Sequence, residues 1–190
     1  RAAIAGAGTM GTAIARLFDR SGYGVTVFDL NEEALRRAAK SAPGIATTQC
    51  LADLSDADLV IDAVFEDMGI KQDLLREIER AAPADAILAS NTSYLDLDEM
   101  SGVLQHPERF AGLHFFNPAD RNPLIEVVRP ARADDETIAT LGALTGKLGK
   151  TAVLTGVGEG FVANRVYADY RAQAEFLLEE GASPEDVDAA

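Results

Sequence analysis

The sequence predicts an α/β fold in which a doubly wound, mostly parallel sheet is followed by the start of an all-helical region. Three observations support this prediction. Strand-like apolar runs alternate with amphipathic helical patterns between Ala2 and Leu154. The strand runs are apolar almost throughout, which is typical of strands that are covered on both faces. After Gly160, helical patterns follow without further strands.

The first strand, turn and helix form a nucleotide-binding pattern. An apolar run over residues 2–5 precedes a G-x-G-x-x-G turn, and an amphipathic helix follows the turn. Glycines allow a tight turn and the close approach of a pyrophosphate, which accepts hydrogen bonds from amides at the helix N-terminus. The pattern indicates a Rossmann-type domain, whose predicted cofactor contacts are Gly6, Gly8, Thr9, Met10 and Gly11.

The second predicted strand ends at Asp29, eighteen residues after Gly11. An acid at this point binds two ribose hydroxyls and repels a 2′-phosphate. The glycine turn alone would also be compatible with a merely structural role. Together with Asp29, it predicts that the chain binds NAD rather than NADP.

The alternation of strands and helices continues to Leu154. Helical patterns cover residues 31–40, 68–81 and 134–148, and strand-like runs cover residues 57–64, 86–89, 110–115, 124–128 and 151–154. Ligands of such sheets bind at the carboxyl ends of the strands. Asp29, Glu66, the segment Ser90–Ser93 and His114 lie at such ends, so we expect them to line one crevice.

A longer helical pattern runs from Phe161 to about Glu180 and stops at Gly181. Three glycines within residues 156–160 suggest a hinge. We therefore expect residues 1–158 to form the dinucleotide-binding domain and residues 159–190 to begin a helical second domain. Because the sequence lacks an initiator methionine and stops just after a helix cap at Ser183, we expect a piece of a longer polypeptide.

Composition narrows the class of protein. The net charge of −14 and the pI near 4.4 argue against a nucleic-acid or anionic-membrane surface. No run approaches the roughly 18 apolar residues of a membrane helix, so no membrane partner is expected. The single Cys50 excludes an intramolecular disulfide framework and offers no metal cluster. A reducing compartment fits this cysteine usage, and we expect a cytoplasmic location.

Two titratable side chains stand in apolar surroundings. His114 lies near the end of a predicted strand, and Glu126 follows twelve residues later within the next one. Burial disfavours a charged imidazole unless a carboxylate supports it, so such a pair could transfer protons near neutral pH. A core histidine that is satisfied by backbone groups is an equally good interpretation of the pair alone. His106 lies in a polar loop, where a solvated surface role is expected.

The motifs together resemble the NAD-dependent 3-hydroxyacyl-CoA dehydrogenases. The resemblance covers nearly the whole chain. In detail, the chain is most similar to the dehydrogenase part of multifunctional fatty-acid β-oxidation enzymes. The matching motifs are the glycine turn, Ala63–Glu66 with Lys71, Ser90–Ser93, His114–Pro118, Leu124–Val127, Gly149–Lys150 and Gly160–Arg165.

The resemblance implies specific roles for four residues at the reacting centre. His114 would be the general base that removes the proton of the 3-hydroxyl as hydride leaves for the nicotinamide. Glu126 would fix the tautomer of the imidazole and stabilise the imidazolium. Ser93 and Asn164 would hydrogen-bond the reacting oxygen or the thioester carbonyl. As alternatives, Ser93 could be a local cap and Asn164 a hydrogen bond that locks the start of its helix.

The resemblance also implies ligands and partners. Glu66, Lys71 and Asn91 would contact NAD or the phosphate-rich thioester carrier, although Asn91 could equally be a local cap. The substrate would be an acyl-CoA or another acyl thioester. The helical second domain would close the active site and supply a dimer contact, so a homodimer or a larger multifunctional chain is expected.

The chain also departs from the family. The family usually carries a helical hairpin with basic, CoA-binding residues where this chain has only Leu30 to Ala57. Asp62 replaces a common Glu, with little expected effect, and Glu159 replaces a common proline. Two alternatives therefore stay open: a dehydrogenase of a carrier-protein thioester or a small 3-hydroxy acid, and a non-catalytic NAD-binding fragment that needs a partner domain.

Overall fold

In the computed structural model, which describes residues 1–190, every strand and helix predicted from the sequence is present. The strands are β1 (Ala2–Ala5), β2 (Val25–Phe28), β3 (Ala46–Thr48), β4 (Leu59–Asp62), β5 (Ile87–Ser90), β6 (Phe110–Phe115), β7 (Leu124–Arg129) and β8 (Thr151–Gly156). The helices are α1 (Thr9–Arg20), α2 (Glu32–Ser41), α3 (Met68–Ala81), α4 (Leu97–Ser101), α5 (Asp135–Lys147), α6 (Ala163–Glu179) and α7 (Pro184–Ala189). Two 3₁₀ turns cover Leu51–Leu54 and Pro107–Arg109.

The strands form one sheet in the order β3-β2-β1-β4-β5-β6-β7-β8. All neighbouring pairs are parallel except β6 and β7, which run antiparallel. The strand order reverses between β1 and β4, which is where a doubly wound sheet binds its ligand. The predicted fold class, a Rossmann-type and mostly parallel sheet, is confirmed.

Helix caps explain where several helices begin. The side chain of Asn31 accepts hydrogen bonds from two amides at the start of α2, and Asp67 and Asp134 each accept one amide at the start of α3 and α5. Helix α1 differs, because the residue at its cap is Gly8, which has no side chain to offer, and its first turn holds no acid. Its positive dipole end is therefore left for a ligand.

The core lies on both faces of the sheet. Buried side chains of α1, α2 and α5, such as Ile14 and Phe18, pack on one face with Ile4 of β1. On the other face, Leu75 and Ile78 of α3 join a second cluster. Each fully buried side chain of this size contributes about 1.5–3 kcal/mol. This packing fixes the strand ends that carry the polar groups.

The last strand and the last helices differ from the expectation of a sheet covered on both faces. No residue of β8 is buried, and the side chain of Leu154 is 61% exposed. Strand β8 lies at the sheet edge and has a neighbour on one side only. Helix α6 also has no buried residue. No helix combines the length and the apolar composition that crossing a membrane requires.

Candidate active site

A histidine and a carboxylate face each other across β6 and β7. The antiparallel register pairs His114 directly with Glu126, and the imidazole Nδ1 lies 2.7 Å from the carboxylate Oε2. His114 is 3% exposed and Glu126 is fully buried. Directly opposite residues on antiparallel strands have neighbouring side chains, which explains why a separation of twelve residues produces contact.

The contact fixes the tautomer of His114. An ionised carboxylate can only accept hydrogen bonds, so Nδ1 carries the proton that points to Glu126. Nε2 is then the basic nitrogen. The hydroxyl of Ser93, in the turn after β5, lies 3.1 Å from Nε2 and donates to it. Ser93, His114 and Glu126 therefore form one hydrogen-bonded chain.

Aromatic rings and the start of α6 enclose this chain. The rings of Phe116 and Phe161 lie 4.4 Å and 5.7 Å from the imidazole, centre to centre. The second carboxylate oxygen of Glu126, Oε1, accepts the backbone N–H groups of Val162 and Ala163 at 3.0 Å and 2.9 Å. Glu126 thus supplies the cap that α6 lacks from its own residues.

Glu126 is held in its charged form. Burial alone would raise the pKa of this carboxyl. The hydrogen bonds from His114, Ala163 and Val162 outweigh burial and hold the pKa of Glu126 below its ordinary value. A permanent negative charge at this position favours the imidazolium whenever His114 accepts a proton.

The turn that carries Ser93 is fastened to Glu66, in the loop after β4. Glu66 Oε1 accepts the backbone N–H groups of Ser93 at 2.8 Å and of Tyr94 at 3.3 Å, and it also accepts the hydroxyl of Thr92. The Thr92 hydroxyl in turn accepts the amide of Leu95 at 3.0 Å. Glu66 therefore sets the position of the hydroxyl that reaches His114.

Beneath Glu66 lies a buried ion pair that the sequence pattern does not predict. Lys71 is 1% exposed, and its Nζ lies 2.8 Å from Oδ2 of Asp62, at the end of β4. The same Oδ2 accepts the hydroxyl of Ser90 at 2.7 Å, and Nζ lies 3.6 Å from Glu66 Oε2. The charge of Lys71 is thus already compensated by two carboxylates. The only sign of this ion pair in the sequence is that Asp62 is an acid within an apolar strand pattern.

The glycine turn forms a cradle whose three glycines have separate roles. Gly6 has a φ of +111°, and a Cβ there would lie 2.7 Å from the carbonyl oxygen of Ala63. A Cβ on Gly11 would lie 1.8 Å from the carbonyl oxygen of Gly6, so α1 can approach the turn only without it. A Cβ on Gly8 would meet nothing within 4 Å, and this side of the turn is open.

The open side of the turn fits a dinucleotide. Thr9 and Met10 begin α1 there, and their amides have no backbone partner. Gly8, Thr9, Met10, Glu66, Lys71, Asn91 and Ser93 line a cleft of about 600 Å³, together with Asp29. Asp29 itself accepts the amides of Ala7 at 2.7 Å and Asn31 at 2.8 Å. A pyrophosphate at the uncapped helix end and ribose hydroxyls at Asp29 match these donors and acceptors.

Two amide side chains complete the arrangement. Asn91 Oδ1 accepts the backbone N–H of Phe115 at 2.8 Å, which leaves its side-chain N–H groups for a ligand. Asn164 lies in the first turn of α6 and lines a second cleft, which it shares with Tyr94. Tyr94 also borders the dinucleotide cleft, so the two clefts meet at the turn that carries Ser93. All the predicted site residues therefore lie around one edge of the sheet.

Comparison with protein families gives matches along nearly the whole chain. Residues 1–50 and 39–157 match the 3-hydroxyacyl-CoA dehydrogenase NAD-binding domain, and residues 160–190 match the C-terminal domain of the same family. The two overlapping stretches of the first match meet within the short segment between Asp29 and Asp58. The departure noted from the sequence therefore coincides with the interruption of the match.

Individual relatives agree with the family match. The peroxisomal bifunctional enzyme of Danio rerio is 40% identical over 206 residues, which cover 100% of this chain and 29% of that protein. The 3-hydroxyacyl-CoA dehydrogenase of Archaeoglobus fulgidus is 35% identical with a TM-score of 0.91, covering 98% of this chain and 66% of that one. The chain spans 29% of the length of the curated relatives that it matches.

A second solved structure that is similar to the chain has a different activity in its name. It is a 5-formyl-3-hydroxy-2-methylpyridine 4-carboxylic acid 5-dehydrogenase, described as an NAD⁺-dependent dismutase. It is 33% identical with a TM-score of 0.93, covering 99% of this chain and 68% of that one.

Proposed function

Because the chain belongs to the 3-hydroxyacyl-CoA dehydrogenase family, we propose that it transfers a hydride between NAD and a 3-hydroxyacyl-CoA/3-ketoacyl-CoA pair. The NAD-binding domain of this family makes NAD the cofactor of the chain. Bound NAD supplies the hydride acceptor. The residues that would hold it are Gly8, Thr9 and Met10 at the pyrophosphate and Asp29 at the ribose, because these groups carry unused donors or a suitable acceptor.

The proton is handled by the chain itself. In the oxidative direction, Nε2 of His114 takes the proton of the substrate's 3-hydroxyl, and in the reductive direction it returns that proton. Glu126 keeps Nε2 unprotonated beforehand by holding the other ring proton, and it stabilises the imidazolium afterwards. The low pKa of Glu126 supports this role, because the carboxylate stays charged through the cycle.

Ser93 and Asn164 act on the oxygens of the substrate. The Ser93 hydroxyl already lies within hydrogen-bond distance of Nε2, so a substrate hydroxyl that reaches Nε2 also comes within reach of Ser93. Asn164 lies in the first turn of the helix that Glu126 caps, which keeps its amide beside the turn that carries Ser93. Both can stabilise charge on the reacting oxygen or on the thioester carbonyl.

The observation that carries this proposal is the Ser93–His114–Glu126 hydrogen-bonded chain beside an uncapped glycine turn. The test measures the rate of NADH oxidation with acetoacetyl-CoA. Nicotinamide fluorescence measures NADH binding in parallel. We expect a His114→Gln variant to lose at least about a hundredfold in kcat while NADH still binds. Undiminished turnover in that variant would refute the assignment of the base.

A second candidate is a related dehydrogenase of a non-CoA substrate. Two observations favour it: the short segment between Asp29 and Asp58, and the similarity to an enzyme named for a pyridine carboxylic acid. Rates on acetoacetyl-CoA, on the matching carrier-protein thioester and on free 3-hydroxybutyrate separate the candidates. The leading proposal requires the CoA thioester to give the highest kcat/KM.

A third candidate is an NAD-binding fragment that needs a partner domain. It requires NADH binding without turnover on any of these substrates. Membership in a longer multifunctional chain is supported by the bifunctional relatives. A homodimer, a cytoplasmic location and the division into residues 1–158 and 159–190 stay predictions.

A further inference from the structure

The loop that joins β6 to β7 covers residues 116–123 and begins two residues after His114. One end of this loop is tied to the start of β8. Lys150, just before β8, donates from its Nζ to the carbonyl oxygen of Asn122 at 2.7 Å. The Gly149–Lys150 motif, to which the proposed function gives no part, thus holds the far end of a loop that starts beside the imidazole.

An acid in the middle of this loop ties it to α1. The side chain of Asp120 is 7% exposed, and its Oδ2 lies 3.1 Å from Nη2 of Arg16 and 3.4 Å from Nη1 of Arg20. Both arginines belong to α1, the helix that begins at the glycine turn. Burial alone would raise the pKa of Asp120, and the charge and hydrogen bond of Arg16 hold this pKa below its ordinary value. The carboxylate therefore stays charged, and it connects the loop to the helix of the cofactor turn.

Two buried atoms of this ion pair have no hydrogen-bond partner in the chain: Arg16 Nε and Asp120 Oδ1. Buried polar atoms are nearly always paired, so these two need an explanation. A guanidinium presents Nε and Nη2 as a fork that matches the two oxygens of a carboxylate. Because Nη2 already meets Oδ2, Nε and Oδ1 are the atoms of the second, parallel bond. A small shift of the loop towards α1 would therefore complete a two-bond contact.

The loop connects Asp120 to the surroundings of His114 over a short stretch of chain. Phe116 lies four residues before Asp120, and its ring centre is 4.4 Å from that of the imidazole. Around Asp120, the carbonyl oxygen of Pro118 accepts two successive amides at 2.9 Å each, so the chain turns tightly. Ala119 is 1% exposed and packs in the core cluster that includes α1. A displacement of Asp120 would therefore be passed on to Phe116.

We propose that Asp120 is a positioning residue for hydride transfer: by tying the loop to α1, it keeps the ring of Phe116 against His114 and water away from the imidazole. The inference rests on the proposed function, because it takes His114 as the base. Asp120 acts through Phe116 and does not itself touch the reacting atoms. An apolar environment with little water disfavours the imidazolium, so the loop also influences the pH at which the base is available.

Other groups around the ring affect the same protonation. Glu126 of β7 is the ionisable side chain in contact with the imidazole, and it favours the charged form. The other contacts of the ring are uncharged: the hydroxyl of Ser93 and the rings of Phe116 and Phe161. Loss of the Asp120 charge would by itself disfavour the imidazolium, whereas entry of water would favour it. The direction of the change therefore separates a positioning role from a purely electrostatic one.

The first measurement follows the two histidine ring signals by proton NMR as the pH is varied, in the wild type and in Asp120→Ala. The chain has only two histidines, so His106, in its exposed loop, serves as an internal control. We expect the His114 signal to titrate at a higher pH in Asp120→Ala, and the His106 signal to be unchanged. A His114 signal that titrates at the wild-type pH or lower, or an equal shift of both signals, would overturn the proposal.

Kinetics provide the second measurement. With acetoacetyl-CoA, Asp120→Ala should lower kcat by at least about tenfold, because a small displacement near the reacting atoms costs this much or more. NADH affinity should stay unchanged, since neither Asp120 nor Arg16 lines the dinucleotide cleft. Asp120→Asn keeps an oxygen for Nη2 of Arg16 and should retain most of the rate. Equal kcat in the wild type and in Asp120→Ala would also contradict the proposal.

Arg16→Ala removes the same contact from the other side. Asp120 then still lies beside Arg20 and Lys150, so its charge keeps partners and the variant should fold. We expect the same loss of kcat as in Asp120→Ala, and no further loss in the double variant, because both changes remove one contact. Ser41→Ala, which removes the other hydrogen bond of Arg16, should leave kcat unchanged. Losses that add in the double variant would mean two separate roles and would refute the proposal.

The matched control is Asp134→Ala. Asp134 also fixes local structure through its carboxylate, which caps α5. It lies with Asp58, just before β4, and Ile87, the first residue of β5, at the opposite end of the sheet from the site. Asp134→Ala should lower the melting temperature and leave both kcat and the His114 titration unchanged.

The two proposals fail separately. Undiminished turnover in His114→Gln would refute the base. Turnover that needs His114 but is as fast in Asp120→Ala as in the wild type would refute only the role of Asp120. The NMR titration needs no turnover, and it tests the effect of the loop on the imidazole in either case.

Discussion

Glu66 accepts the backbone N–H of Ser93 at 2.8 Å, so an acid in the loop after β4 positions a hydroxyl in the turn after β5. The adjacent residues Thr92 and Tyr94 donate to the same oxygen. Glu66 therefore holds three consecutive residues in place, although it does not contact His114. The position of the turn therefore depends on a residue outside the Ser93–His114–Glu126 chain, and it can be tested separately from the chemistry of that chain.

Replacing Glu66 by Ala should loosen this turn and lower kcat with acetoacetyl-CoA by roughly tenfold or more, because charge-assisted hydrogen bonds contribute about 1.5–3 kcal/mol. Glu66→Gln keeps an oxygen that accepts amides and should restore most of the rate. Steady-state kinetics of both variants check this. Equal losses in the two variants would mean that the charge, and not the position of Ser93, is what matters.

Replacing Glu126 by Gln should lower kcat by about 10²–10⁴-fold, because Gln can donate to Nδ1 and so place the proton on Nε2. NADH affinity should stay unchanged, since Glu126 does not line the dinucleotide cleft. Turnover and fluorescence titration of the same preparation provide the two measurements. A drop in NADH affinity equal to the drop in kcat would indicate general unfolding instead.

The pH dependence of stability should report on Glu126. Its folded-state pKa lies below the ordinary value of 4.5, so its charge contributes stability that is complete above about pH 4.5. This contribution is lost as the pH falls through the lowered folded-state pKa. The difference in unfolding free energy between the wild type and Glu126→Gln should therefore shrink in acid. A difference that stays constant down to pH 3 would contradict this reasoning.

Alanine substitutions of two glycines in the same turn should affect different properties, one the binding of NADH and the other the stability of the fold. Gly8→Ala adds a Cβ into open space at a φ of −71°, so the melting temperature should hardly change while NADH binding weakens. Gly11→Ala drives a Cβ against the carbonyl oxygen of Gly6, and should destabilise the fold by about 2 kcal/mol or more. Thermal unfolding and NADH titration of both variants separate the two effects. If Gly8→Ala bound NADH normally, the pyrophosphate could not lie against the turn.

The sequence predicted those parts of the fold and of the candidate site that depend on residues close together in the chain. The glycine turn and Asp29 form a motif with fixed spacing, and His114 stood out because it is one of two histidines, in an apolar run. The contact of Asp62 with Lys71 and Ser90 was not predicted, since it depends on how β4, β5 and α3 pack. The family resemblance implied that Lys71 contacts a ligand, and nothing in the sequence indicated that Asp62 would be its buried partner.

Errors at the ends of the sheet have a similar cause. Strand β3 was missed because Ala46–Thr48 is short, polar and largely exposed, so it lacks an apolar period. Strand β8 was found, but its exposure was not predicted. An apolar edge strand has the same sequence pattern as a central one, and only the strand order distinguishes them.

The uncapped first turn of α1 makes the cofactor a structural component as well as a reactant. Gly8 gives no side-chain cap and the amides of Thr9 and Met10 have no backbone partner, so bound NAD would accept hydrogen bonds that no group of the chain accepts. A ligand that binds only the folded chain adds about 2.7 kcal/mol at a hundred times its dissociation constant. The supply of NAD would then regulate how long the folded chain survives, in addition to how fast it works.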